Sequence, residues 1–294
     1  MAKKAVFPLT WFSWLVLMAA LLLVLALGLT TLGAARWAAG AQSLTDSLVA
    51  AQEPVHVARH DARALVGLPA PVQRYFEAVL TDGQAMVTAA GIGMTGRFNL
   101  STAGAQWRPF TSRQQVRTHR PGFVWDARIA LLPGVRVHVI DSYIGGQGLL
   151  KASVQGLFPV AGMQGAGEIA RGEFMRYFAE AVWYPTALLP SQGVRWEAVD
   201  ARSANATLTD GPITLTLLFR FDAAGLIESF RAESRGGMVG QVMVQAPWEG
   251  RFSNYQRHDG MLVPHAGEVA WMRPEGRQVY FEGTVTRLHY SFTP

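Results

Sequence analysis

EIARGEFMRYFAEAVWYPTALL, residues 168–189, is the one long helical pattern set among many strand-like segments, so its packing decides the fold. Phe174, Phe178 and Ala181 recur at helical spacing, with Val182 beside them, and make an apolar stripe. Arg176 and Glu180 stand four apart, within pairing reach on a neighbouring stripe. Pro185 ends the helix, because its ring disfavours a helical residue before it. The plain role is a helix packed on a sheet. The sharper role is a helix closing a sheet cavity, with Phe174, Phe178 and Val182 turned toward it and Arg176 and Glu180 turned outward. Trp183-Tyr184-Pro185 reads as an aromatic plug against the sheet.

On both sides of this stretch the period is two. Phe123, Trp125, Ala127 and Ile129 alternate with Val124, Asp126, Arg128 and Ala130, so one face is apolar and the other mixed. Val135, Val137 and Val139 follow the Pro133-Gly134 turn in the same manner, and Asp141 ends that strand. Beyond Pro190 the alternation resumes through hairpin signals such as Asp210-Gly211. Short strands joined by turn residues predict a mainly β (α+β) chain built on an antiparallel sheet rather than on βαβ units. About 11–12 strands are too many for a flat sheet, so strong curvature toward a half-barrel is expected, closed by one or two helices. One closing helix is 168–184. The other lies in LPAPVQRYFEAVL, where Val72, Tyr75, Phe76, Val79 and Leu80 form an amphipathic stripe.

Trp11 to Leu32 carries no charged residue. At ~1.5 Å per residue it reaches roughly 33 Å, enough to cross a bilayer core of about 30 Å. Lys3 and Lys4 precede it and predict a cytoplasmic N-terminus. A cleaved signal peptide ending at Ala39-Gly40-Ala41 is the rival, but the apolar run exceeds the usual signal core. The expected organisation is a cytoplasmic start (1–10), a transmembrane signal anchor (11–33), a juxtamembrane helical linker (34–68) and an exported β-rich domain (69–294). This places a single-pass protein in the inner membrane, with its C-terminal domain in the periplasm or outside.

Composition limits the partners. Half of the 294 residues are apolar and 16% are charged. Removing Lys3, Lys4 and Arg36 from the 26 basic residues leaves 23 against 21 acidic ones. The exported part is thus nearly neutral, without the basic stripe that a nucleic-acid partner requires. There is no cysteine, which excludes a disulfide, a thiolate metal site and a cysteine nucleophile. Gly91-Ile92-Gly93-Met94-Thr95-Gly96 matches a dinucleotide fingerprint by letter, but Arg97 to Leu100 continues as strand where the chemistry needs a helix start. His56 and His60 are the one pair at i, i+4, without a third ligand nearby. No catalytic set, metal or cofactor is assigned.

Three stretches carry a family resemblance: LPAPVQRYF, the WDARI…PG…VIDSY…GG segment, and GEIARGEFMRYFAEAVWYPTALLPSQGVRWEAVD. They resemble a bacterial family of uncharacterised, often membrane-anchored proteins. The order of strands, helix and strand meander is also similar to the periplasmic lipoprotein-carrier (LolA-like) fold, which implies an apolar concave face closed by helices. The reading is therefore a membrane-anchored binding protein for a lipid or other apolar ligand. Trp125, Asp126, Asp141, Glu173, Phe174, Tyr177, Phe178, Val182 and Trp183 are the expected cavity lining. The alternatives are an envelope enzyme using Asp126, Asp141, Glu168 or Glu173 with Tyr177 or Arg176, and a scaffold for another envelope protein.

Overall fold

In the computed structural model, residues 11–54, 57–101, 104–240 and 242–293 are described. Lys3, Lys4 and His56 lie outside them. Among the described residues thirteen strands form one antiparallel sheet. The first six are β1 (Val87–Asn99), β2 (Trp107–Arg117), β3 (Gly122–Leu132), β4 (Val135–Ile144), β5 (Gln147–Val154) and β6 (Phe158–Gly165). The other seven are β7 (Arg195–Asp200), β8 (Ser203–Asp210), β9 (Ile213–Phe221), β10 (Ile227–Val239), β11 (Val242–His258), β12 (Met261–Arg273) and β13 (Gly276–Phe292). The spatial order is β6-β5-β4-β3-β2-β1-β13-β12-β11-β10-β9-β8-β7. Each half is a meander, and β1 zips to β13 at the centre.

The edges of the sheet are β6 and β7, which are also the strands that flank the central helix in sequence. The connection between them must therefore cross the whole width of the sheet. It does so as α3 (Glu168–Glu180), followed by short 3-10 turns at Ala181–Trp183, Pro185–Leu188 and Pro190–Gln192. Phe174, Phe178 and Val182 are fully buried. The Tyr143 ring stacks on Phe174 at 5.0 Å, and Phe178 meets Phe219 edge-on at 6.1 Å. A second helix, α2 (Ala70–Val79), has proline in its first turn, where the missing N–H costs nothing. It buries Val72, Tyr75, Phe76 and Val79, with Phe76 edge-on to Trp196 at 6.3 Å.

The sequence reading counted too few strands, for a local reason. β6 has the sequence FPVAGMQG, and its proline and glycines hide a strand that pairs with β5 on one side only. In the other half, β11 runs through Pro247 without a break. The register of β10 shifts between Ala232 and Arg235, opposite this proline, and the β12 pairing begins only at Trp248. A bulge thus absorbs the missing N–H.

The helix α1 spans Trp11–Ala50 without a break, so the expected segment 11–33 and the start of the expected helical linker 34–68 are one continuous helix. The segment AARWAAGAQSLTDSLVA is rich in alanine and contains no proline, so nothing interrupts it. Its first half is long and apolar enough to cross a membrane. Its second half lies on the convex face of the sheet, where Trp37 and Leu48 are buried with Val124 and Ile140.

Candidate functional site

Alternation along β3 sends Trp125 to the concave side and Asp126 to the convex side. Trp125 joins the main core. Asp126 accepts a 3.0 Å hydrogen bond from Trp37 Nε1 and pairs with Arg128 at 3.3 Å. Asp126, expected among the cavity residues, is therefore a contact to α1 on the convex face.

The concave side encloses a cavity of about 1340 Å³. Its far wall is aromatic: Phe230, Trp248, Phe252, Trp271, Tyr280 and Phe281. Glycines in the facing strands make room for these rings. A Cβ at Gly237 would lie 2.8 Å from the Trp271 ring, and one at Gly250 would collide with Phe230. The near wall is one stripe of α3, Glu168, Gly172, Glu173, Arg176 and Glu180, with Trp183 beyond it. The expected orientation of α3 is thus reversed. Phe174, Tyr177, Phe178 and Val182 fill the core, and the charged residues face the cavity. The reason is area: four large side chains gain more by leaving water than the ion-paired cluster loses.

That cluster is built around Arg176. Its guanidinium donates to Asp141 Oδ2 at 2.7 Å and to Glu180 Oε1 at 2.8 Å. Its plane lies 4.5 Å from the Trp125 ring centroid. Gln114 Nε2 donates to the other Glu180 oxygen at 2.6 Å. Burial opposes the charge of Arg176, but Glu180, Asp141 and Glu173 more than offset it and hold the guanidinium protonated. Two carboxyl groups, Asp141 and Glu180, already share this one guanidinium. Glu173, only 4% exposed, is pushed up to about 8, first by burial and then by Asp141. At neutral pH it is mostly a neutral acid, able to donate a proton into the cavity.

Four buried polar atoms of residues that line this cavity have no hydrogen-bond partner among the described residues: Asp141 Oδ1, Glu173 Oε2, Arg235 Nε and Trp125 Nε1. Arg235 stacks on Trp248 at 4.0 Å and passes beneath Gly172, where a Cβ would lie 3.7 Å from Nε. Unpaired groups of this kind cost about 1–3 kcal/mol each. They leave two oxygens and two N–H groups without an internal bond in residues that line the cavity.

Of the nine expected lining residues, Trp125, Asp141, Glu173 and Trp183 line the cavity. Sequence reasoning missed Arg235 and the aromatic wall. The available signal was Gly236-Gly237 inside a strand, which marks a close approach by another group. The letter match at Gly91 to Gly96 lies within β1, as the absence of a helix signal implied.

Residues 66–290 match the model of a family described as "Family of unknown function (DUF6920)". No curated protein is similar in sequence. Among solved structures, the chain is similar to the LolA superfamily protein NE2245 from Nitrosomonas europaea. The identity is 9%, over 76% of this chain and 94% of that one, with a TM-score of 0.39. It is also similar to a beta-barrel-like protein of the domain of unknown function DUF1849 from Brucella abortus. There the identity is 11%, over 70% and 99% of the two chains, with a TM-score of 0.23. The resemblance read from the sequence to a family of unknown function is recovered.

Proposed function

The chain belongs to the DUF6920 family, of unknown function, and we propose that it is a membrane-anchored binding protein for an amphiphilic lipid in the cell envelope. The observation that carries this reading is the division of one cavity into an aromatic wall and a polar wall. The first suits acyl chains. The second, with Asp141, Glu173 and Arg235, suits a polar head bearing both donors and acceptors. Residues 69–294 form the exported domain, α1 spans the inner membrane with its N-terminus inside, and the cavity holds the ligand without chemistry.

The test is mass spectrometry of what co-purifies with full-length protein after gentle extraction. Val244→Trp would fill the cavity from its β11 wall. An amphiphile bound by the wild type and lost from this variant is the expected result. An equal lipid content in both would remove the cavity from the account.

The second reading, an enzyme, is favoured by one feature: a buried acid at about 8 beside an unpaired Asp141 oxygen. Turnover of an extracted lipid that disappears in Glu173→Gln, with lipid retention intact, would move the assignment to this reading.

A further inference from the structure

The thirteen strands leave the half-barrel with two rims. One rim carries the β1–β2, β3–β4, β5–β6, β8–β9, β10–β11 and β12–β13 turns. Outside α1, the described residues include eight exposed large apolar side chains: Val66, Leu100, Leu132, Phe158, Val160, Val199, Met238 and Val242. Six of them sit at this rim, on four different hairpins. Only Val66 and Val199 lie elsewhere. Hairpin tips in water are ordinarily polar, so a ring of apolar tips marks a surface with a partner.

The same rim meets α1 where its apolar run stops. Leu32 is the last residue of that run. A Cβ on the next residue, Gly33, would collide with the carbonyl oxygen of Gln155 and lie 2.7 Å from Leu157 Cγ, both in the β5–β6 turn. Gly156 in that turn has φ +69°, and a Cβ there would be 3.3 Å from Trp37 Cβ. The neighbouring β3–β4 turn is tied in by Gln155 Nε2, which donates to the Gly134 carbonyl at 2.8 Å. Glycine on both partners thus locks the helix to the rim at the point where it would leave a bilayer.

The register sets the level of the other turns. Successive pairs connect Val154 on β5 to Val137, Ile129, Phe110, Gly96, Gly283 and Gly267. β12 continues beyond Gly267 to Arg273 before it turns. This progressive stagger is that of tilted strands in a barrel, and it keeps the row of turns level about the barrel axis. α1 slants in the sense that stagger requires, from the β5–β6 turn at Gly33 to Gly122 at the start of β3, where Leu48 packs. It therefore runs near the barrel axis, with the rim across its path. The cavity opens on this rim: Leu100, Ser101, Met238, Met243, Pro274 and Glu275 line its mouth.

We infer that the apolar hairpin rim is seated in the surface of the same bilayer that α1 spans, so that the cavity mouth faces the lipid leaflet. The inference rests on α1 being a membrane span. An amphiphile would then pass between leaflet and cavity without crossing water. A second copy of the chain is a poorer occupant, because the helix already fixes the distance between rim and bilayer.

The native chain has no cysteine, so single-cysteine labelling needs no background removal. Full-length protein would be reconstituted in phosphatidylcholine–phosphatidylglycerol vesicles. An environment-sensitive fluorophore would be placed at Leu132→Cys, Phe158→Cys or Val242→Cys on the rim, at Val66→Cys or Val199→Cys as controls, and at Leu22→Cys in α1. The expected result is loss of emission to nitroxide-bearing lipids at Leu22 and the three rim sites, with the controls quenched only by aqueous iodide. Lipid quenching at Leu22 with iodide quenching at the rim would overturn the inference and leave the anchor standing. Rim sites shielded from both quenchers would overturn it in favour of a protein partner. No lipid quenching at Leu22 would remove the anchor and the inference together.

Discussion

Trp37 Nε1 donates to Asp126 Oδ1 across 3.0 Å, which ties α1 to the convex face of β3. The indole also meets His138 edge-on at 5.4 Å, and Lys151 lies over it at 5.6 Å. The hydrogen bond contributes roughly 1.5–3 kcal/mol for a charged acceptor; the buried ring area adds to it. Trp37→Ala should therefore release residues 34–50 from the sheet. Their amide hydrogens should exchange much faster, while β1 and β13 keep their protection. Unchanged exchange in that segment would show that Trp37 is not the tie.

Among the described residues, Arg176 is the only positive charge in direct contact with Asp141 and Glu180, and all three side chains are largely buried. Removing it leaves two carboxylates in a low-dielectric site. Arg176→Leu should cost about 3–5 kcal/mol in urea unfolding. A loss under about 1 kcal/mol, the range of surface pairs, would mean that water already solvates the cluster.

Glu173 gives the protein a pH-dependent stability. Its folded carboxyl titrates near 8 against an ordinary 4.5. The unfolded chain therefore releases this proton first, and between the two values it binds fewer protons than the native state. The contribution of Glu173 is fully present below about 4.5 and falls by up to about 1.4 kcal/mol per pH unit until the folded group ionises near 8. Glu173→Gln should flatten the dependence. Unfolding of delipidated protein at several pH values checks this, and parallel curves for wild type and variant would contradict it.

Phe76 is fully buried against Trp196, and Tyr75 against Phe221. α2 therefore belongs to the same core as the sheet. Phe76→Ala should cost about 3–5 kcal/mol, and residues 69–294 should unfold in one transition. Two separate transitions would count against a single domain.

Much of this architecture was legible in the sequence because alternation and turn chemistry act locally. The Val72-to-Val79 stripe, the Phe123-to-Ile129 alternation and the long apolar run each stand in the structure where the pattern placed them. What failed depended on distant neighbours. FPVAGMQG becomes a strand because β5 offers it an edge, and Pro247 is tolerated because β10 bulges opposite it. The facing of α3 failed for a similar reason. Spacing defines two stripes on a helix, but only the enclosing sheet decides which one meets the core. Arg235 and Trp271, far apart in sequence, meet beside Gly236 and Gly237, whose spacing in the chain does not say which group approaches.

The central claim is that an amphiphile occupies the cavity between α3 and the aromatic wall. The most direct measurement uses a lipid carrying a photoactivatable group on its acyl chain, incubated with full-length protein in detergent, irradiated, digested and mapped by mass spectrometry. The account predicts crosslinks on peptides carrying Phe230, Val244, Trp248 and Phe281, which Val244→Trp should abolish. Crosslinks confined to α1 and the convex face around Val124, unaffected by that substitution, would contradict it.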